Sequence, residues 1–205
     1  MDIAVIGHGN VGGTLAGRWA EAGHTIIIGA RDPGDMNVQY YVEKYDGISS
    51  DIIYEAAKEA EVILIATPST AVPDMAHNLG DVSDKIIIDA TNSVSAKPEG
   101  YRTGAEALKK ITGCPDVVKG FNTTGYENMA DPLYDGVGID MFTAGDSMRG
   151  KQAVADLAQD LGFENCYDFG GDDKFELIEQ FALCWINLAV VQGHGRDIAL
   201  KVIKR

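Results

Sequence analysis

The chain has 205 residues, of which 45% are hydrophobic, and its 17 Lys and Arg against 31 Asp and Glu give a formal charge of −14. This length and this hydrophobic share are typical of one large folded domain. So acidic a chain excludes a nucleic-acid binder that depends on a basic face, and it argues against binding to anionic membranes. An anionic ligand would have to be held by local groups, against the sign of the overall charge.

The first thirty residues have the pattern of a βαβ unit. A short apolar run at 3–6 predicts a buried strand, and β-branched residues at 25–29 predict a second one. Between them a helix is predicted over 10–22, because Val11, Leu15 and Trp19 share one face. Two strands joined by a helix in so short a span predict a parallel sheet covered on both faces.

Strands and helices continue to alternate along the chain. Further strands are predicted at 61–66, 85–89, 116–119, 140–144 and 164–168, and further helices at 51–60, 71–79, 104–111 and 151–161. This alternation predicts an α/β fold with a doubly wound, mostly parallel sheet of the Rossmann type.

The last part of the chain predicts a long C-terminal helix. It begins at Asp172 and runs toward the C-terminus, it is apolar nearly all round at 181–191, and Gly193 and Gly195 can kink or end it. A helix of this kind needs cover, either from its own subunit or from a second copy in a homodimer.

We therefore divide the chain into a dinucleotide-binding domain at 1–171 and a helical extension at 172–205. The three cysteines form no CxxC pair, so we expect buried thiols in a reducing cytoplasm. Neither a signal peptide nor an apolar run of about eighteen residues is present, so no membrane is expected. The four histidines form no HxxxH pair and no catalytic triad, so neither a metal site nor a catalytic side chain is predicted.

The glycine motif Gly7-His8-Gly9-Asn10-Val11-Gly12 carries the clearest chemistry. The first glycine allows a tight turn, the second lets the backbone approach a pyrophosphate, and the third lets the helix pack closely on the strand. The N–H groups at the start of the helix would bind the anion. Because the motif joins a predicted strand to a predicted helix, all six residues are predicted to bind a dinucleotide.

The end of the second strand indicates which dinucleotide is bound. An enzyme that uses NAD usually has Asp or Glu there for the ribose 2′-hydroxyl, whereas this chain has Ala30 followed by Arg31. A guanidinium can hold a 2′-phosphate, so Ala30 and Arg31 predict NADP. NAD remains the alternative if Asp32 rather than Ala30 faces the ribose.

Small polar residues follow three later strands, at the sheet edge where ligands bind in open α/β folds. Thr67-Pro68-Ser69 and Asn92 could line the nicotinamide end, and Asn122-Thr123 could orient a second ring system. Each of these segments could equally be an ordinary turn or a helix cap.

The chain resembles the NADP-dependent oxidoreductases of the deazaflavin coenzyme F420 type, and also the cytosolic reductase domain of six-transmembrane metalloreductases. The segments that carry the resemblance are the glycine motif, Gly29-Ala30-Arg31, Ala66-Thr67-Pro68, Val118-Lys119-Gly120-Phe121-Asn122-Thr123 and Gly145-Asp146.

The resemblance implies direct hydride transfer between NADPH and a deazaflavin, a flavin or another small electron acceptor. It implies that Thr67 and Pro68 contact the nicotinamide and that Asn122 and Thr123 bind the second substrate. We also assign Ala66 and Asn92 to the cofactor site and Ser69 to the second substrate. Two alternatives remain open. The chain could be a non-enzymatic NADP-binding redox-sensor module, or it could be a hydroxyacid or imine reductase-like enzyme, although those usually carry a large helical domain after the dinucleotide domain.

Overall fold

Six parallel strands form the central sheet: β1 (Asp2–Ile6), β2 (Thr25–Ala30), β3 (Ile48–Ile52), β4 (Val62–Ile65), β5 (Ile86–Asp89) and β6 (Val117–Lys119). The computed structural model that shows them describes residues 1–94 and 96–205. Across the sheet the order is β3-β2-β1-β4-β5-β6, which is the Rossmann order. The predicted doubly wound parallel sheet is confirmed.

Helices cover both faces of this sheet: α1 (Asn10–Glu21), α2 (Met36–Lys44), α3 (Ile53–Glu59), α4 (Val72–Ala76), α5 (Gly104–Thr112), α6 (Tyr126–Ala130), α7 (Met148–Leu161) and α8 (Phe175–Ile186). A short hairpin, β7 (Leu133–Tyr134) and β8 (Val137–Gly138), precedes a parallel pair, β9 (Asp140–Thr143) and β10 (Asn165–Asp168). This pair is a separate sheet, joined to the central one by an antiparallel bridge between Lys119 and Ala144.

Side-chain alternation along the strands divides the interior into two apolar layers. In β1, Ile3 and Val5 point into one layer, and Ala4 and Ile6 point into the other. Trp19 is completely buried in the first layer, where its indole N–H donates to the carbonyl of Leu157 at 3.2 Å. The central strands are therefore buried on both faces, as their uninterrupted apolar runs predict.

Besides the short hairpin of β7 and β8, the sequence did not predict α2 and β3, because neither has a strong apolar pattern. Val38 is the one buried residue of α2, whose first residue, Met36, is 86% exposed. Strand β3 lies at the sheet edge with the sequence Ile-Ser-Ser-Asp-Ile, and only its first residue is buried. Asp35 begins α2 by accepting a hydrogen bond from the backbone N–H of Asn37 at 2.8 Å.

The predicted C-terminal helix is present, but it does not reach the C-terminus. Helix α8 continues into a π-turn at Asn187–Val191, and the chain then leaves helical geometry before Gly193, whose φ is +74°. A left-handed residue of this kind ends a helix. Residues after it pack back on the domain, where the carbonyl of Ile198 accepts from the Trp185 indole at 2.6 Å.

Two further expectations are corrected by the structure. The helix predicted over 71–79 is a 3₁₀ turn at Ser69–Ala71 followed by α4, which ends at Ala76. Cys114 is buried as expected, whereas Cys184 is exposed on α8. Among the described residues, no helix has the length and apolar character needed to cross a membrane.

Candidate functional site

The glycine motif forms the turn between β1 and α1. Gly7 has a φ of +104°, and a Cβ there would lie 2.7 Å from the carbonyl carbon of Ala66. A Cβ on Gly12 would lie 1.8 Å from the carbonyl oxygen of Gly7. A Cβ on Gly9, in contrast, would meet no atom within 4 Å. Gly7 thus allows the tight turn, Gly12 allows the close packing of the helix, and Gly9 leaves open space next to the backbone.

The open space at Gly9 is part of a cleft of about 710 Å³ at the carboxyl ends of the strands. Helix α1 begins there with Gly9 as its N-cap, and no side chain caps its first N–H groups. Eight of the predicted cofactor-binding residues line the cleft, namely Gly7, His8, Gly9, Asn10, Ala30, Arg31, Thr67 and Pro68. The cleft lies between β1 and β4, where the strand order reverses, which is the ligand position in open α/β sheets.

Val11, Gly12 and Ala66 do not line the cleft. Gly12 is buried within α1, and a Cβ on it would come within 3.2 Å of the Ala66 methyl group. These residues form the wall behind the glycine turn. Their place predicts a supporting role, since substitutions there would move the residues that face the cleft.

The acidic residues after Arg31 are held by their own turns. Ala30 and Arg31 line the cleft, while Asp32 does not. The Asp32 carboxylate accepts from the backbone N–H of Gly34 at 3.0 Å. Two hydrogen bonds from Asn37, from its backbone and its side chain, lower the pKa of Asp35. The guanidinium is thus the charged group of this strand end that faces the cleft.

Helix α2 supplies lining residues that the sequence did not reveal: Asn37, Tyr40 and Tyr41. Burial raises the pKa of Tyr41, which keeps its phenol protonated and able to donate a hydrogen bond. Its hydroxyl lies against α1, where a Cβ on Gly13 would be 2.1 Å away. The Gly-Gly pair at 12–13 was therefore a usable signal, because the second glycine admits an aromatic side chain beside the motif.

Further lining residues come from α3, from α4 and from the positions on either side of α4, and they were also missed. These residues are Ile53, Ala71, Asp74, Met75 and Asn78. They add apolar surface and amide and carboxylate oxygens to the cleft lining. No motif marks them, because α4 is short and its polar residues look like an ordinary solvent-facing helix.

Thr67 is the polar group that most directly indicates a ligand in the cleft. Its hydroxyl oxygen is buried and has no hydrogen-bond partner among the described residues. A buried hydroxyl without a partner costs free energy, so a bound group or an ordered water is needed to satisfy it. The open space at Gly9, the free N–H groups of α1, Arg31 and this hydroxyl together fit a phosphorylated dinucleotide.

The other predicted residues lie outside the cleft lining. The Ser69 hydroxyl donates to the carbonyl of Ala96 at 3.0 Å. Asn92 and Asn122 lie at the ends of β5 and β6 and bond to each other: Asn92 Nδ2 donates to the Asn122 carbonyl at 2.7 Å, and Asn122 Nδ2 donates to Asn92 Oδ1 at 2.9 Å. Thr123 is buried next to them. The two asparagines thus form one unit, two and three strands away from the strand that precedes the glycine turn.

Beneath this asparagine pair lies a buried ion cluster that sequence reasoning missed. Lys119 is completely buried, and its ammonium donates to Asp89 at 2.7 Å, to the Thr91 carbonyl at 2.8 Å and to Glu179 at 2.8 Å. Burial by itself lowers the pKa of Lys119, but the charges of Asp89 and Glu179 outweigh it and raise the pKa. All three donors of a charged ammonium are thereby used.

The fold and the cleft together define a dinucleotide-binding Rossmann protein. Residues 2–93, just under half of the chain, match the family described as "NADP oxidoreductase coenzyme F420-dependent". The F420-dependent NADP reductase of Methanothermobacter marburgensis is 29% identical over 212 residues, which cover 93% of each protein.

Two further relatives agree with this match. A crystal structure of a candidate F420-dependent NADP-reductase from Arthrobacter sp. FB24 superposes with a TM-score of 0.85 and 25% identity over the whole of both chains. The rat metalloreductase STEAP3 is 23% identical over 78% of this chain, which spans 32% of that protein. These likenesses confirm the predicted resemblance to the NADP-dependent oxidoreductases of the coenzyme F420 type.

Proposed function

We propose that this protein transfers a hydride between NADP(H), bound in the cleft, and a deazaflavin or flavin bound beside the nicotinamide. The observation that carries the proposal is the cleft itself, where a glycine turn, an uncapped helix N-terminus and Arg31 converge. The relatives named as F420-dependent NADP reductases support the acceptor class, because two of them match along nearly the whole chain.

The residues of the chain would bind and orient rather than react. NADPH bound in the cleft would supply a hydride, which carries two electrons, to the acceptor ring. The backbone N–H groups at the start of α1, beside Gly9 and Asn10, would hold the pyrophosphate, and Arg31 the 2′-phosphate. The Thr67 hydroxyl would bond to the nicotinamide end. Such a transfer needs two rings held in close contact, so a shaped and water-poor site is the main requirement.

Titration of NADPH and NADH against the wild type and Arg31→Ala tests the cofactor assignment. The loss of a charge-assisted phosphate contact should weaken NADPH binding by about 1.5–3 kcal/mol and leave NADH binding nearly unchanged. Arg102→Ala is the matched control, because this arginine is 67% exposed and lies outside the cleft. Equal losses for both nucleotides would contradict the role of Arg31.

The acceptor is tested by following NADPH oxidation at saturating cofactor. We expect turnover with coenzyme F420 or with a free flavin. If NADPH binds tightly and none of coenzyme F420, flavins or quinones is reduced, the redox-sensor alternative replaces the enzyme.

We further propose that the protein acts as a homodimer in the cytoplasm. The apolar surface of α8 supports the dimer, since Leu177 is 52% and Val191 69% exposed. The cytoplasm fits the three cysteines, which are all free.

A further inference from the structure

The turn after β5 is fixed at three points by the buried ion cluster of Lys119, Asp89 and Glu179. The Thr91 N–H donates to Asp89 at 2.9 Å, and the Thr91 carbonyl accepts from Lys119 at 2.8 Å. The Ser93 N–H donates to the second oxygen of Glu179 at 3.1 Å. The residue between these anchor points is Asn92.

Asn92 in turn holds the turn after β6. Its amide bonds to the backbone and the side chain of Asn122, as described above. Asn122 follows Phe121, which has a φ of +56° although it is not a glycine. Non-glycine residues in this region store strain that the surrounding structure must hold, and they concentrate at functional sites. Here the Phe121 ring is buried against Trp19 with ring centroids 5.3 Å apart.

The side chain of Asn122 holds a hydrogen-bond acceptor without a partner among the described residues. The Asn122 Oδ1 atom is buried and makes no hydrogen bond to any described residue. A buried amide oxygen of this kind indicates a bound group or an ordered water. Asn122 is not among the residues that line the cleft, so we assign this atom to the second substrate rather than to the dinucleotide.

The charges of the cluster argue against a purely stabilising role. One ammonium faces two carboxylates in a buried place, and desolvating three charges offsets most of their attraction. Apolar residues of similar size would stabilise the core about as well. What they could not do is anchor the backbone of 91–93 by directed hydrogen bonds.

We propose that Lys119 and Glu179 are positioning residues for the acceptor end of the site. They fix the turn that carries Asn92, and Asn92 fixes Asn122. Helix α8 is thereby part of the active site, since it supplies Glu179 from a segment remote in sequence. The inference rests on the proposed function for the identity of the acceptor, but the geometry that it describes can be measured without turnover.

Glu179→Gln tests this inference, with Glu176→Gln as the matched control. Glu176 lies one turn earlier on α8 and pairs at the surface with Arg102 at 3.2 Å. If Glu179 positions the site, Glu179→Gln should raise the KM for the acceptor about tenfold or more, because small displacements of positioning groups are costly. The Kd for NADPH should stay within about twofold of the wild type in both variants.

A second readout does not need activity. In the wild type, the side-chain amide signals of Asn92 and Asn122 should be shifted and protected from hydrogen exchange, and in Glu179→Gln they should exchange faster. Unchanged amide signals and an unchanged KM in folded Glu179→Gln would overturn the inference, as would an equal effect of Glu176→Gln. If the wild type reduces no acceptor, the proposed function fails while the amide signals still decide the inference.

If Glu179→Gln does not fold, Asn92→Asp replaces it. This variant leaves the ion cluster in place and removes the amide donor that holds Asn122. The inference then expects the same rise in the KM for the acceptor, and a wild-type KM would overturn it.

Discussion

At the scale of single residues, Gly9 and Gly12 differ in what an added methyl group would meet. Gly12 faces backbone at 1.8 Å, whereas Gly9 faces open space in the cleft. Gly9 also has ordinary extended dihedral angles, φ −71° and ψ −165°, which alanine adopts without strain. The same substitution therefore separates the folding role of one glycine from the binding role of the other.

We expect Gly9→Ala to keep the stability of the wild type and to lose NADPH binding. Its methyl group would occupy the place of the pyrophosphate, so Kd should rise at least about tenfold, equivalent to about 1.4 kcal/mol. Fluorescence titration measures Kd, and thermal unfolding should show a Tm within about 2 °C of the wild type.

Gly12→Ala should instead lower the free energy of unfolding, by about 1–3 kcal/mol, because the helix must move away from the strand. Urea unfolding measures this loss. If Gly12→Ala proves as stable as Gly9→Ala, the result would contradict the claim that α1 packs closely on the glycine turn.

At the scale of elements, α5 shows how one carboxylate holds a helix terminus. Thr103 caps the helix by accepting from the Glu106 N–H at 3.1 Å. Glu106 accepts from the Arg102 N–H, one residue before the cap, at 2.8 Å and from the Lys110 ammonium at 2.8 Å, so it links the start of the helix to its next turn. The hydrogen bond from Lys110, opposed by burial and supported by Arg102, lowers the pKa of Glu106 from 4.5 to about 2.

The stabilisation by Glu106 should therefore depend on pH. A carboxyl whose pKa is lowered on folding stabilises the native state above its unfolded pKa, and this contribution is lost as the pH falls through the folded pKa. Glu106→Gln should be less stable than the wild type at neutral pH, and the difference should shrink between pH 4.5 and about 2. Urea unfolding across this range measures it.

Glu55→Gln is the control for the Glu106 prediction, since Glu55 forms a surface pair with Lys58 at 3.2 Å. Exposed pairs of this kind contribute little, so this variant should differ little from the wild type at any pH. A pH-independent difference for Glu106→Gln would contradict the capping role of its charge.

At the scale of the whole molecule, α8 has one face in the core and another in solvent. Phe175 and Ile178 are buried in the same apolar layer as the sheet. Leu177, Leu188 and Val191 are exposed. Since α8 also supplies Glu179 to the buried ion cluster, the extension at 172–205 supports the dinucleotide domain. The boundary between the two parts at residue 171 stays a prediction.

The proposed homodimer is tested without removing α8. Sedimentation of the wild type should give a mass close to twice the 21.9 kDa of one chain, and Val191→Glu should reduce it to a monomer because a charge cannot be buried unpaired in an apolar interface. Met36→Glu is the control, because Met36 is 86% exposed on α2. A wild-type monomer would refute the proposal.

Much of the fold was predictable because its signals are local. The glycine motif, the apolar strands and the first helix each depend on a few neighbouring residues, and they predicted the sheet and eight lining residues of the cleft. Helix α2 and strand β3 were missed because their residues are mostly exposed, so tertiary position rather than an apolar pattern determines them. The lining tyrosines of α2 were missed with them.

The sequence by itself determined that the protein has a dinucleotide-binding Rossmann fold, because a glycine motif between a buried strand and a helix is typical of few other folds. Only the tertiary structure decided how the acceptor end is built. Lys119 lies 30 residues from Asp89 and 60 from Glu179, so no local pattern could join them. A buried charge is stable only when its partners are brought to it, and that requires the complete fold.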